Sequence, residues 1–346
     1  MGKFKEFLKR KNIVFSAKRY GIDALGAMAQ GLFCSLLIGT IFKTLGLIPH
    51  MSFFTTAGDF AMTMAGPAMA ISIGLALKAD PMVLFSLATV GYAANQLGGA
   101  GGPLAVLIIA IVSAELGKAV SKETKIDILV TPLVTIISGV GLSVLIAKYI
   151  GYAASAFGEL IKSATTLHPF LMGVLVSVLV GIALTLPISS AAICAALGLT
   201  GLAGGAALAG CCAQMVGFAA ISFKENKFGG LISQGLGTSM LQMPNIIKNP
   251  RVWIAPTLAS AITGPLATCL FKIEMNGAAI NAGMGTCGMC GPIGVITGWY
   301  SGGVTPGAMQ WIGLVLICIV LPAIISLLIN LLLRKIGWVK DGDLKI

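Results

Sequence analysis

Long apolar runs separated by short polar or charged turns dominate the chain; 126–150 and 309–333 are examples, with a shorter one at 104–112. A helix needs about 20 apolar residues to cross the hydrocarbon core of a bilayer. Membrane strands instead show as segments of about 10 residues that alternate apolar and polar. The pattern here is the continuous one, so it predicts an all-α polytopic membrane protein of about ten transmembrane helices with re-entrant hairpins. The predicted spans are 21–47, 57–77, 82–98, 103–119, 128–150, 169–186, a loosely defined pair at 188–209 and 210–222, then 251–271 and 308–333. An external loop is placed at 50–56, an amphipathic stretch at 151–168 and a half-helix at 229–247. Residues 274–300 are read as re-entrant.

Composition reinforces this reading. Hydrophobic residues make up 57% and charged residues 10% of 346 positions, too little polar surface for a water-soluble globule of this size. The chain has no Walker A motif, nucleophile elbow or H-E-x-x-H, and no soluble segment long enough for a catalytic domain. The formal net charge of +11 is explained by the positive-inside rule rather than by nucleic acid. Lys3, Lys5, Lys9, Arg10, Lys11, Lys18 and Arg19 crowd the first twenty residues, and Arg334, Lys335, Lys340 and Lys345 the other end. Both termini are expected in the cytoplasm of a bacterial cell. The expected organisation is a basic amphipathic segment at 1–20, a transmembrane domain at 21–335 and a cytoplasmic tail at 336–346.

Two glycine clusters break the helical pattern. Gly283-Met-Gly-Thr-Cys-Gly-Met-Cys-Gly-Pro292 carries four glycines and a proline, and Gly98-Gly-Ala-Gly-Gly-Pro103 is similar. Non-helical backbone at membrane depth is tolerated only inside protein or beside a wet cavity, so these stretches mark a translocation site. Ala65-Gly-Pro67 followed by Gly101-Gly-Pro103 resembles Thr263-Gly-Pro265 followed by Cys290-Gly-Pro292, the trace of an inverted repeat. Eight cysteines lie mostly in apolar segments. Cys287-Gly-Met-Cys290 lacks a second pair, so no metal and no cofactor is expected. Gly283-x-Gly285-x-x-Gly288 matches a dinucleotide fingerprint without the strand that motif requires.

Glu274 is the foremost candidate, because an ionisable group beside a glycine-rich hairpin is costly unless it is used, hydrated or paired with Lys272. His168 precedes Pro169 at the start of a span. Asn95, Gln96, Asn276 and Asn281 are candidates to hydrogen-bond a polyol, as are Gln214, Gln234, Thr238, Gln242 and Asn245. Pro187 and the hydroxyls of Ser189 and Ser190 mark a broken span that would line a cavity. Gly283, Gly285 and Thr286 complete the proposed hairpin site.

Four motifs together, Leu186-Pro-Ile-Ser-Ser-Ala-Ala192, Met243-Pro-Asn-Ile-Ile-Lys-Asn-Pro-Arg251, Pro256-Thr-Leu-Ala-Ser-Ala-Ile-Thr-Gly-Pro265 and Gly283-Met-Gly-Thr286, resemble the EIIC-like integral membrane proteins of the sugar phosphotransferase system, PfoR-like members included. The resemblance runs from about residue 15 to 335. It implies a ten-helix homodimer that carries a sugar-like solute by an elevator-type motion, with separate EIIB and EIIA proteins supplying phosphate. It also implies a Glu and a His that bind the sugar; Glu274 and His168 match by type, though neither aligns to the usual EIIC glutamate motif. The alternatives are a membrane-embedded ligand sensor without phosphotransfer, and an ion-coupled transporter of another small solute.

Overall fold

The computed structural model describes residues 2–46, 51–303 and 305–346; His50 of the expected external loop lies outside them, as do the side chains of Lys3 and Phe4. Among the described residues the chain is helical throughout, with one isolated antiparallel bridge, Gly201 to Met275. Six helical stretches are long and apolar enough to cross a membrane: Arg19–Leu45, Pro81–Val120, Asp127–Thr165, Gly201–Ile221, Pro250–Leu270 and Ala308–Lys335. A seventh arises if Ser52–Thr63 and Ala65–Ala76, bent by 51° at Met64, form one span. Two features narrow the gap to the expected ten. Pro169–Thr185 is apolar but only 17 residues long. Pro81–Val120 is folded back on itself: a Cβ on Gly117 would meet Val83, and one on Gly98 would meet Ala105, as in an antiparallel hairpin. The turn is a short 3₁₀ segment at Gly99–Gly101, with Gly99 at φ +51°.

Three boundaries differ from expectation. Helix begins at Ser52, inside the expected loop. The span breaks at 186–189 as expected, and a second break follows at 197–200 with Gly198 and Gly201 at positive φ, so Gly201–Ile221 is one helix and not two weak spans. Residues 223–248 form several short pieces, with a kink at Lys227 and an extended Thr238.

The fold divides into two compact units, the first comprising Met1–Gly39 and Asp59–Ala153. Its helices pack through glycines that let backbones touch: Gly66 lies against the Gly91 carbonyl and Gly31 against that of Ala68. Three helix ends come together here. Their left-handed caps, Asn12, Lys78 and Lys122, follow the helices Gly2–Arg10, Ala65–Ala76 and Gly102–Val120. Cations satisfy the carbonyls these ends leave over. Lys118, 2% exposed, donates to Asn12 O at 2.8 Å, Leu77 O at 2.9 Å and Glu115 Oε2 at 2.8 Å. Arg19 also donates to Leu77 O, and Lys11 to Ser121 O. The basic amino end is therefore tied into the unit, with Arg10 paired to Glu123 at 2.8 Å.

The second unit comprises Thr40–Gly58 and Ala154–Ile346. Its centre is Gly201–Ile221, of which 89% of the most apolar window is buried. Pro169–Thr185, Ile254–Pro265 and Leu321–Lys335 pack around it. Of the four tripeptides of the expected repeat, those at 65, 101 and 290 sit at helix starts, while Thr263-Gly-Pro265 lies inside the helical stretch Pro250–Leu270.

Candidate functional site

The non-helical stretch between the helices Pro250–Leu270 and Cys290–Ser301 is built by burial that alternates residue by residue. Ile273 and Met275 are buried, whereas Glu274 and Asn276 are exposed. That period of two is the pattern of an extended segment. One face lies on Gly201–Ile221, held by Gly201 N to Met275 O at 2.9 Å and Met275 N to Gly201 O at 3.0 Å. A Cβ on Gly205 would lie 1.8 Å from the Ile273 carbonyl oxygen, and one on Gly204 would lie 2.6 Å from Met275 Cβ. The other neighbour is Cys290–Ser301, where Gly298 meets Asn276 backbone and Gly294 meets the Met275 sulfur. Two glycine faces thus seat an extended strand of backbone between helices, the sheltering that broken backbone in a membrane requires.

Glu274 and Asn276 project from this seat side by side. Asn276 Nδ2 donates to Glu274 Oε2 at 2.9 Å, so the partner of the carboxylate is Asn276 and not Lys272. A carboxylate has about four acceptor positions and an amide offers two donors and an acceptor, a set suited to vicinal hydroxyls.

Below them the hairpin is closed on itself. Gly283 and Gly285 are buried. Ser190 Oγ donates to Gly283 O at 2.7 Å, and a Cβ on Gly283 would meet the Ser190 carbonyl. Gly285, at φ +54°, packs on Cys211 and accepts from Gly291 N at 3.0 Å. Thr286 donates to Gly235 O and contacts the Met215 sulfur. Ser189 caps the helix Ser190–Ala196 through Ala192 N. The structure therefore brings together Ser190, Gly283, Gly285 and Thr286 as the frame, with Asn281 half-buried against Gly294. His168 is exposed ahead of Pro169–Thr185. Asn95 and Gln96 belong to the first unit, where Asn95 packs on Gly66 and Gly102 and Gln96 is exposed. Among the described residues no group of three His, Cys, Asp or Glu side chains is placed to hold a metal.

The other amides of the second unit do different work. Gln214 Oε1 accepts from Trp253 Nε1 at 2.9 Å and Thr185 Oγ1 at 3.2 Å, and its Nε2 donates to Thr257. Gln234, Gln242 and Asn245 form a chain: Gln242 donates to Gln234 Oε1, and Asn245 to Gln242 Oε1, each at 2.8 Å. Gln234 donates to Ser222 Oγ at 2.8 Å, while Gln242 on Leu344 O and Asn245 on Lys345 O, both at 2.9 Å, hold the carboxyl end. These amides are thus joined to the protein itself, and residues 338–346 are docked with Val339 and Leu344 buried. What sequence reasoning missed is the pair of glycine faces. The signal was small residues at helical spacing, 201, 204 and 205 on one helix and 294 and 298 on the other.

A polytopic helical membrane protein with a sheltered, acid-bearing break in its backbone is the class that these features define. Residues 22–346 match the family model described as Phosphotransferase system, EIIC, and the chain belongs to that family. No curated protein and no solved structure matches it.

Proposed function

We propose that this chain is the membrane permease component of a phosphotransferase system, binding and translocating a sugar-like solute. The observation that supports it most is the exposed Glu274–Asn276 pair standing on backbone seated between two glycine faces. The carboxylate accepts hydrogen bonds from adjacent hydroxyls of the solute, the amides of Asn276 and Asn281 orient it, and His168 is a further polar contact. Ser189, Ser190, Gly283, Gly285 and Thr286 hold the frame. Translocation is an elevator-type displacement, in a homodimer of ten-helix subunits in the bacterial inner membrane with both termini cytoplasmic. Separate EIIB and EIIA proteins deliver phosphate to the solute.

Uptake of labelled sugars into proteoliposomes tests this. Uptake that requires EIIB and phosphoenolpyruvate is expected. Uptake driven by an ion gradient alone, or binding without flux, would replace it by a secondary transporter or a sensor. Glu274→Gln should abolish sugar binding while leaving the detergent-solubilised protein folded; unchanged binding removes Glu274 from the site.

A further inference from the structure

A second feature of the same unit is independent of the solute site. An open groove of about 680 Å³ runs between the last span and the segment after Gly201–Ile221. Phe223, Phe228, Leu231, Leu327 and Leu331 supply its walls, and Lys224, Arg334 and Asp341 its polar end. The span Ala308–Lys335 has only 33% of its most apolar window buried, and Leu331 is 61% exposed, so the groove continues a lipid-facing surface. Its polar end coincides with the final turn of that span, at Arg334 and Lys335.

The charges there are arranged around an anion. Asp341 is 71% exposed, yet its carboxylate sits between Lys224 Nζ at 2.8 Å and Arg334 Nη1 at 2.5 Å. Arg334 reaches Glu225 with its other nitrogen, so its planar fork is held open toward Asp341. In the groove wall Asn330 is 3% exposed, and its Oδ1 has no hydrogen-bond donor among the described residues. An apolar channel at the edge of a span, ending in Lys224 and Arg334 around the exposed Asp341 carboxylate with Glu225 behind Arg334, matches an amphiphile whose anionic head takes the place of that carboxylate.

We infer that this groove binds an anionic phospholipid, one acyl chain between Phe228 and Leu331 and the phosphodiester between Lys224 and Arg334, in the place the Asp341 carboxylate otherwise takes. Lipid and the docked carboxyl segment therefore compete for the same two cations.

The full chain, purified in detergent and exchanged into mixtures of phosphatidylglycerol and phosphatidylcholine, tests this by native mass spectrometry of the lipid it retains. The wild type should retain phosphatidylglycerol in preference. Lys224→Gln should lower that preference about five-fold, the effect of one cation near an anionic surface. Asp341→Asn, which removes the competing carboxylate, should raise it. Lys340→Gln, an exposed cation outside the groove, should leave it unchanged, and millimolar inorganic phosphate should not displace the lipid. Equal retention of the two lipids, the same loss in Lys340→Gln as in Lys224→Gln, reduced retention in Asp341→Asn, or displacement by phosphate alone would each overturn the inference. So would a groove that retains no lipid because a second copy of the chain covers it.

Discussion

The two units bury polarity in different chemical forms. In the first the interior polar cluster is ionic: Lys118, Glu115 and Arg19, with Tyr20 donating to Glu115 at 3.0 Å, fasten helix ends to one another. In the second it is neutral: Gln214, Gln234, Gln242 and Asn245 with their hydroxyl and indole partners, while the ion pairs Arg334–Glu225 and Lys224–Asp341 lie at the end of the last span. Glycine use differs in parallel. In the first unit glycines bring helix against helix, as at Gly66 and Gly91; in the second they also bring a helix against extended backbone, as at Gly205 and Ile273.

The difference is sharpest at Lys118. Replacing it with Met leaves Glu115 buried without its closest cation and strips Asn12 O and Leu77 O of a donor. Breaking a buried ion pair from one side costs about 3–5 kcal/mol. Thermal unfolding in detergent should show the largest loss of any variant considered, with proteolysis beginning at the amino-terminal helix. A loss no greater than that of an amide variant would erase the contrast between the units.

Gly205→Ala comes next. The added methyl would lie 1.8 Å from the Ile273 carbonyl oxygen, and backbone cannot rotate away as a side chain can. Overpacking of this kind costs about 1–3 kcal/mol, and here it also displaces Glu274, so sugar binding should fall further than stability alone explains. Gly141→Ala is the control, since nothing lies within 4 Å of its Cβ position; it should be neutral or slightly stabilising. Equal effects at the two positions would mean that the glycine seat is not what holds the segment.

Much of this was legible in the sequence. Hydropathy identified the polytopic helical class because lipid imposes a length and a composition that local pattern reveals, and Pro169 marks a helix start in the structure as expected. Of the glycines at 283–291, Gly285 and Gly288 take the positive φ that breaks a helix, whereas Gly283 ends a 3₁₀ turn and Gly291 lies in the first turn of Cys290–Ser301. The pair of spans expected to meet at 209 and 210 is instead one helix: glycine in a helix interior costs local propensity, but at Gly205 and Gly210 close approach of the Ile273 and Ser177 carbonyls outweighs it. The amides at 242 and 245 were read as ligands for a polyol because nothing local shows that their partners lie about a hundred residues later, at 344 and 345, while Gln234 is taken up by Ser222, Gly230 and Gln242. The same long-range pairing makes residues 336–346 a docked segment where composition indicates only a tail.

Gln214→Leu tests the neutral network directly. It leaves the Trp253 indole and the Thr185 hydroxyl without their shared acceptor. The cost should be about 1–3 kcal/mol, that of a buried donor left unmade. A double variant with Gly141→Ala should be additive, because the two lie in different units. A penalty matching that of Lys118→Met would mean that amides and ions fasten these interiors equally well.

The smallest effect concerns acid, and it should be alike in both units. Asp80 is held below the usual carboxylate range chiefly by its hydrogen bond from Lys122, and Asp341 chiefly by that from Lys224. A carboxyl whose folded value is depressed contributes its stability above the unfolded value and loses it as pH falls through the folded one. Both clamps should therefore be intact at neutral pH and open only below about pH 4, the unperturbed carboxylate value. The loss is small because both pairs are solvent-exposed and screened by salt. Hydrogen exchange at neutral and acid pH reads them separately, through residues 120–123 for Asp80 and 338–346 for Asp341. Asp341→Asn should reproduce the acid state of the carboxyl segment at neutral pH without changing exchange at 120–123. Opening of both segments in that variant would mean that the two clamps are coupled, and the separation of ionic and neutral interiors would no longer describe how the molecule responds to pH.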